Sequence, residues 1–407
     1  MKQSICVALL TLISSTAFAQ AADPQPPTGS TSPAATSVDE RLAAAESKLK
    51  ALEEQSAETK KDVSPLKKLK ISGYVQGRFQ YQDPDFDEVN AEAKLSEGFS
   101  RFTVRRGRIK ATYGGDTGQV VLQIDASPTG VALRDAEATL FIPGTEKNMS
   151  LTLGQMKVPF SYEVLQSSTE REFPERSRAV ASLIAGERDR GLRFSGKFGV
   201  LRVAAGFFDG NGVGNTGFIG VDNDKEKDLI GRLSFDLKWI SGGVSGWYGT
   251  TLGKRTGTDP DATRKAYTRS RIGADVQVSL ELVPVGATAV KAEYIAGRTY
   301  QRNNVEQFGL PASGWWALIV QNLGTSNALA LRYDYFDFEN GRSPTESGGR
   351  LGSNNAIGTL GIAGIHNFSE FVKITAAYEV PVTATAEGGA AEDPSDNLFT
   401  VQLQVRY

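Results

Sequence analysis

The chain has 407 residues, with 45 Lys plus Arg against 47 Asp plus Glu, a formal net charge of −2 and a mean hydropathy of −0.27. That is too polar for a bundle of membrane helices and too neutral to draw the whole molecule to nucleic acid, so no nucleic-acid partner is expected. One cysteine, Cys6, and one histidine, His366, rule out thiolate clusters, multi-histidine metal centres and Ser-His-Asp triads; no metal, no cofactor and no catalysis are expected.

Lys2, the apolar run from Ile5 to Ile13 and the small-x-small triplet Ala17-Phe18-Ala19 have the three regions of a secretory signal peptide, expected over 1–19. The run is far shorter than the about 20 apolar residues of a spanning helix. Cleavage before Gln20 removes Cys6, so the exported chain is expected to lack disulfides. Residues 20–37, with Pro24, Pro26, Pro27 and Pro33, have the composition of a flexible linker. Across 38–64, Val38, Leu42, Ala45, Leu49 and Leu52 recur at spacings of four and three, the seam of a short coiled coil. That seam fits an oligomerisation stalk and a solvated single helix equally well, since so short a helix needs partners for stability.

From residue 69 the apolar period becomes two. Ile71, Val75, Phe79 and Tyr81 share one face and Lys70, Gln76, Arg78 and Gln80 the other, with Tyr74 alone among the polar set. At the far end Phe399, Val401, Leu403, Val405 and Tyr407 alternate with Thr400, Gln402, Gln404 and Arg406. Sixteen strands are predicted between 69–82 and 397–407, among them 228–239, 243–251, 313–322 and 369–382. Tight turns alternate with long connections at 83–98, 159–189, 209–227, 252–265, 300–312, 339–354 and 383–396; on the long side only 128–130 is short. Loops sorted by length onto two sides are the mark of a transmembrane barrel, whose strands turn apolar residues to lipid and polar ones inward. The expected fold is all-β: a 16-stranded antiparallel transmembrane β-barrel over 69–407, preceded by a short N-terminal coiled-coil helix.

An even strand number brings both barrel ends out beside the short turns, on the periplasmic side of a Gram-negative outer membrane, with lipid around the wall. Tyr74, Tyr81, Tyr113, Trp239, Trp247, Tyr248, Tyr267, Trp315, Trp316, Tyr333 and Tyr378 include candidates for the interfacial aromatic girdles. The terminal aromatic Tyr407 suits recognition by the outer-membrane assembly machinery. The acidic stretches 83–98, 222–228 and 387–396 do not have the spacing of a calcium loop and read as solvated.

A barrel this wide encloses a water-filled lumen, and its inward phase carries Arg78, Arg106, Arg108, Lys110, Arg193, Arg232 and Lys373 together with Asp125, Asp135, Glu137, Asp275 and Glu379. Rows of basic groups in a narrow pore attract anions; paired across strands, the same groups only stabilise the wall. The connection 159–189 is long and charged, yet Val180 to Ala185 is apolar and favours burial. It is therefore expected to fold into the lumen as a constriction loop rather than lie on the surface.

Five motifs in order, Arg105-Arg106-Gly107-Arg108-Ile109, Leu133-Arg134-Asp135-Ala136-Glu137, Gly154-Gln155-Met156-Lys157-Val158-Pro159-Phe160-Ser161, Phe173-Pro174-Glu175-Arg176-Ser177 and Arg190-Gly191-Leu192-Arg193-Phe194, resemble the phosphate-selective porin O and P family. The resemblance implies a sixteen-stranded trimeric barrel with an inward-folded loop, in which Arg105 or Arg106, Asp135 and Arg176 form the constriction. The expected function is passive diffusion of small hydrophilic solutes through an outer-membrane porin with a bias toward anions, phosphate among them. Arg105, Arg106, Arg108, Asp135, Lys157, Arg176 and Arg193 are the pore-lining candidates and a homotrimer is the expected assembly. The alternative is a structural barrel that tethers the envelope through its coiled coil.

Overall fold

The computed structural model describes residues 37–82, 98–184, 187–210, 212, 225–252, 266–299, 310–337, 356–383 and 397–407. The expected signal peptide, residues 20–36 of the linker, six of the long connections over most of their length, and most of the acidic stretches lie outside the described residues.

The N-terminal unit contains one helix, α1 (Val38–Val63). It starts on a reciprocal cap in which the Ser37 hydroxyl accepts the Glu40 N–H (3.3 Å) and the Glu40 carboxylate accepts the Ser37 N–H (3.2 Å). Its acidic first turn and basic last turn complement the helix dipole. Leu42, Leu49 and Leu52 of the seam stand exposed.

The second unit opens with a short 3-10 turn, Ser64–Lys68, and is otherwise a sheet closed on itself. In chain order the strands are β1 (Leu69–Gln82), β2 (Phe99–Gly114), β3 (Gly118–Ser127), β4 (Gly130–Phe141), β5 (Met149–Lys157), β6 (Arg188–Phe198), β7 (Leu201–Phe208) and β8 (Asp228–Asp236). They continue with β9 (Ile240–Leu252), β10 (Ala266–Val283), β11 (Gly286–Thr299), β12 (Leu310–Leu323), β13 (Asn327–Asp337), β14 (Ala356–Asn367), β15 (Val372–Thr383) and β16 (Leu398–Arg406). Every strand pairs antiparallel with its chain neighbours, and β1 pairs with β16 from Tyr74 opposite Arg406 to Gln82 opposite Leu398. Inside that seam, Gln76 donates to Gln404 (2.7 Å) and Arg78 to Gln402 (2.7 Å), so the closing strands are joined by side chains as well as backbone.

Burial is inverted relative to a water-soluble protein. Phe102 is 86% exposed, and Ile71, Val120, Leu122, Ile272, Ile319, Ile362 and Leu403 also point outward and are exposed, while Gln76, Thr400 and Gln404 on the inner phase are 1–2% exposed. Hydrocarbon outside and polar groups inside, with the backbone satisfied by closure, is what a bilayer demands of strands. The largest differences from expectation, three residues at one end, fall on four strands: β8 stops at Asp236, β9 starts at Ile240, β12 starts at Leu310 and β15 starts at Val372. The strand expected over 228–239 would carry its alternation, and an inward Lys238, past the observed end of β8; Lys238 instead sits in a tight turn and not on the inner wall. Three expected girdle residues are also corrected, because Tyr74, Trp247 and Trp316 are buried on the lumen side. Trp315, Tyr248 and Tyr378 are exposed on the outer face, where Trp315 stacks at 5.3 Å from Tyr333.

Candidate functional site

Strict alternation would send only one of two adjacent residues into the lumen, and two β-bulges break it at the basic motifs. Between β1 and β2, Gln76 faces Arg106 and Gly77 faces Val104, leaving Arg105 as the extra residue. Between β3 and β4, Gln123 faces Asp135 and Ile124 faces Leu133, leaving Arg134 extra. A bulge re-aims its side chains, and both Arg105 and Arg106 reach the same carboxylate, that of Glu175.

Glu175 belongs to the segment between β5 and β6, which leaves and rejoins the wall on non-glycine residues with positive φ, Ser161 (66°) and Glu187 (55°). Such conformations cost on the order of 1–3 kcal/mol and persist where surrounding contacts hold them. The contacts here are extensive. Two single-turn helices, α2 (Tyr162–Leu165) and α3 (Arg178–Leu183), are capped by Ser161 and Ser177. The wall supplies acceptors for their first amides: Glu293 accepts Tyr162 N–H (2.9 Å) and Glu163 N–H (3.3 Å), and Asp334 accepts Arg178 N–H (2.6 Å). Glu163 in turn accepts both the amide and the hydroxyl of Ser177, tying one turn to the other.

Apolar packing fixes the segment more firmly. Met156, Val158, Phe160, Val164, Ala179, Val180, Leu183 and Ile184 bury against Phe208, Ile230, Trp247, Ile295, Ala312 and Phe336 of the inner wall, a small hydrophobic core inside the barrel. Each large side chain so buried contributes roughly 1.5–3 kcal/mol. A second cluster seats Phe173 among Trp316, Leu318 and Val320. Where the segment comes closest, the wall is reduced to glycine: a Cβ on Gly361 would lie 2.7 Å from the Phe173 ring and one on Gly314 2.6 Å from the Ala179 methyl. Between these anchors the chain crosses to the β1–β16 seam. There Ser168 bonds the Tyr74 hydroxyl and accepts from Gln76 (3.1 Å), and Thr169 accepts from Lys373 (2.7 Å) and Gln404 (3.2 Å).

The charges facing one another across the segment are unequal. Glu175 is shared by Arg78 (2.7 Å), Arg105 (2.6 Å), Arg106 (3.4 Å) and Arg171 (3.9 Å). Glu187 pairs with Arg176 and with Arg188 (3.3 Å), and Arg188 also holds Asp135 (2.7 Å). Asp125 takes Arg108 (2.8 Å) and Arg134 (3.4 Å), and Glu137 faces Arg193 (3.8 Å). Lys157 lies within electrostatic reach of Glu187 and Arg176 but donates only to the carbonyls of Leu165 (3.2 Å) and Gln166 (3.0 Å). Nine arginines and one lysine thus share five carboxylates among the described residues. Burial alone would raise the Glu175 carboxyl, but Arg78, Arg105, Arg106 and Arg171 outweigh it and hold it well below the usual carboxylate range. Glu187 is held down against burial in the same way by Arg176, Arg188, Lys157 and Arg171. Burial, reinforced by Arg176, lowers the Arg171 guanidinium to about 10 despite the opposing pull of Glu175 and Glu187. On the side of the tight turns, a cavity of about 480 Å³ under Tyr162 and Leu165 is bordered by Lys147, Lys197, Arg232 and Gln277.

The seven residues singled out in the sequence all belong to this cluster, but not in one constellation. Arg105 and Arg106 converge on Glu175; Arg176 instead pairs with Glu187 and donates to the Glu163 carbonyl (2.9 Å). Asp135 faces Arg188 rather than the paired arginines, Arg108 faces Asp125, and Arg193 faces Glu137 and the Lys157 carbonyl (3.2 Å). Sequence reasoning passed over Arg78, Arg134, Arg171, Glu175, Glu187 and Arg188. Arg78 had a signal in its inward phase on β1; Arg134 sits at a bulge and Arg171, Glu175 and Glu187 in the connecting segment, where no phase applies, while Arg188 opens β6 inside the stretch expected to be a connection, 159–189.

Similar structures were found among outer-membrane channels, all at identities that speak to fold alone. The OmpT outer membrane protein of Vibrio cholerae, in a trimer form, aligns with a TM-score of 0.54 at 10% identity over 83% of this chain and 99% of its own. The outer membrane channel DcaP of Acinetobacter baumannii gives 0.55 at 13% over 83% and 97%, and an anion-selective porin from Comamonas acidovorans 0.52 at 13% over 83% and 98%. No curated protein matches the chain in sequence. The sequence model of the family described as phosphate-selective porin O and P matches residues 74–407, nearly the whole barrel, and the chain therefore belongs to that family of outer-membrane porins.

Proposed function

We propose that this porin passes small hydrophilic solutes passively and prefers anions, phosphate among them. The supporting observation is the ratio of ten cations to five carboxylates on the Arg105, Arg106, Arg108, Asp135, Lys157, Arg176 and Arg193 side of the inward segment. The segment acts as the constriction, since its packed anchors keep it across the lumen. In a narrow pore between low-dielectric walls, surplus guanidinium charge lowers the barrier to anions, while interleaved carboxylates keep residence short enough for release. No chemical step is needed. Family membership favours this channel over a purely mechanical tether.

The test is the zero-current potential in planar bilayers under a potassium chloride gradient. Chloride is expected to be the more permeant ion, and Arg106→Gln is expected to lower the chloride-to-potassium permeability ratio by about fivefold, the equivalent of roughly 1 kcal/mol for one partly screened charge. A cation-preferring wild-type channel sinks the reading. Residues 1–19 are read as a signal peptide, 20–37 as a linker and 38–64 as a periplasmic coiled coil joining a homotrimer, with both barrel ends in the periplasm and Tyr407 offered to the assembly machinery. The exposed Leu42, Leu49 and Leu52 and the trimer form of the OmpT structure support this assembly. Mass measurement of the detergent-extracted protein with and without residues 38–64 checks it.

A further inference from the structure

The four-arginine cage at the constriction already contains an anion, and it is part of the chain. One Glu175 oxygen lies 2.7 Å from Arg78 and 2.6 Å from Arg105; the other lies 3.4 Å from Arg106 and 3.9 Å from Arg171. The Glu175 backbone is held by contacts on both sides. Arg78 donates to the Pro174 carbonyl (2.7 Å), Arg332 donates to the Glu175 carbonyl (2.9 Å), and Phe173 is wedged against Gly361. The side chain is the accessible part, 27% exposed beside Arg105 at 26%, while Arg78, Arg106 and Arg171 are 2–5% exposed. Carboxylate and phosphate oxygens are interchangeable partners for guanidinium forks. A solute oxyanion reaching Arg105 from the lumen therefore competes with the Glu175 carboxylate for the same N–H groups.

We propose that Glu175 is a tethered competing anion: it occupies the arginine cage between passages, small oxyanions displace it by swinging its side chain aside, and its return expels them. This rests on the anion-preferring reading above and names the residue that keeps binding weak. A cage occupied by its own ligand about nine-tenths of the time shows roughly tenfold weaker apparent affinity for a solute.

The experiment is block of single-channel chloride current by added inorganic phosphate, and in a parallel series by acetate, in the full-length wild type, Glu175→Gln and Glu175→Asp. Folding is checked for each by heat-dependent gel migration. For Glu175→Gln, both half-blocking concentrations are expected to fall about tenfold; Glu175→Asp, with its carboxylate drawn back by one methylene, falls between. If Glu175→Gln does not assemble, the Glu175→Asp shift alone decides. Half-blocking concentrations equal to or above wild type in the assembled variant overturn the proposal. The zero-current potential in chloride alone is recorded before any blocker, so a failure of anion preference is seen separately from a failure of competition.

Discussion

The two halves of the inner wall use charge differently. On β8 to β15, three arginines each pair closely with one carboxylate of the wall: Arg232 with Asp275 (2.5 Å), Arg269 with Asp228 (2.6 Å), Arg332 with Glu379 (2.6 Å). Two further buried acids there, Glu293 and Asp334, accept backbone amides of the inward segment beside its apolar contacts with the wall. Around β1 to β6 the arginines outnumber their carboxylates and meet only the charged edge of the segment. One half is a seat and the other an electrostatic face. The apolar and amide contacts of the seat hold the segment so that its charged edge meets the arginines of β1 to β6.

Breaking the seat is expected to have the largest effect. Phe160 is fully buried, with its ring 6.1 Å from that of Trp247, and Phe160→Ala is expected to cost the seat about 3–5 kcal/mol. The barrel should still form, since the strands keep their ladder, but the segment should detach. Single-channel conductance is expected to rise and trypsin to cut after Arg176 or Arg178 while the wall survives. Retained conductance together with full protease resistance would mean that charge, and not packing, holds the segment. Glu293→Gln probes the polar part of the same seat. It turns one acceptor of the Tyr162 and Glu163 amides into a donor, at a cost of roughly 1–3 kcal/mol. Its expected signature is partial: frequent brief openings to the larger conductance, with chloride preference kept. A stable full-size conductance in that variant would place the amide contacts above Phe160 in importance.

The contrast between the halves also explains what could be read from the sequence. Alternation was legible because lipid and water impose it residue by residue, and the sixteen strands follow from it to within three residues. It misplaces side chains wherever the wall serves the segment. Trp247 and Trp316 have the composition of a membrane-interface belt but point inward, since the segment offers them apolar partners that no local pattern announces. It also failed at Arg105 and Arg134, because a bulge adds one residue to a strand without changing its composition. The burial of Val180 and Leu183 was foreseeable from their hydrophobicity amid charge. That Glu175 would gather four arginines was not, since its partners come from β1, β2 and its own segment, and their meeting depends on a fold already closed.

The smallest expected effect is that of acid, and it separates the electrostatic face from an ordinary surface network. An isolated glutamate titrates near about 4.3. Glu175 and Glu187 are held well below that range by their arginines. A depressed folded value means that their contribution is present above the unfolded value and is lost only as pH falls through the lower, folded one. Conductance and the chloride-to-potassium ratio set by these two groups should therefore stay level from pH 8 down to about 4, and change only in stronger acid. Surface carboxylates would instead titrate over the range from about 5 to 3 and be dulled by salt. A chloride preference that already climbs between about pH 5 and 4 would show that the carboxylates lining the path are ordinary solvated ones, and that the arginines hold them far less tightly than the paired distances indicate.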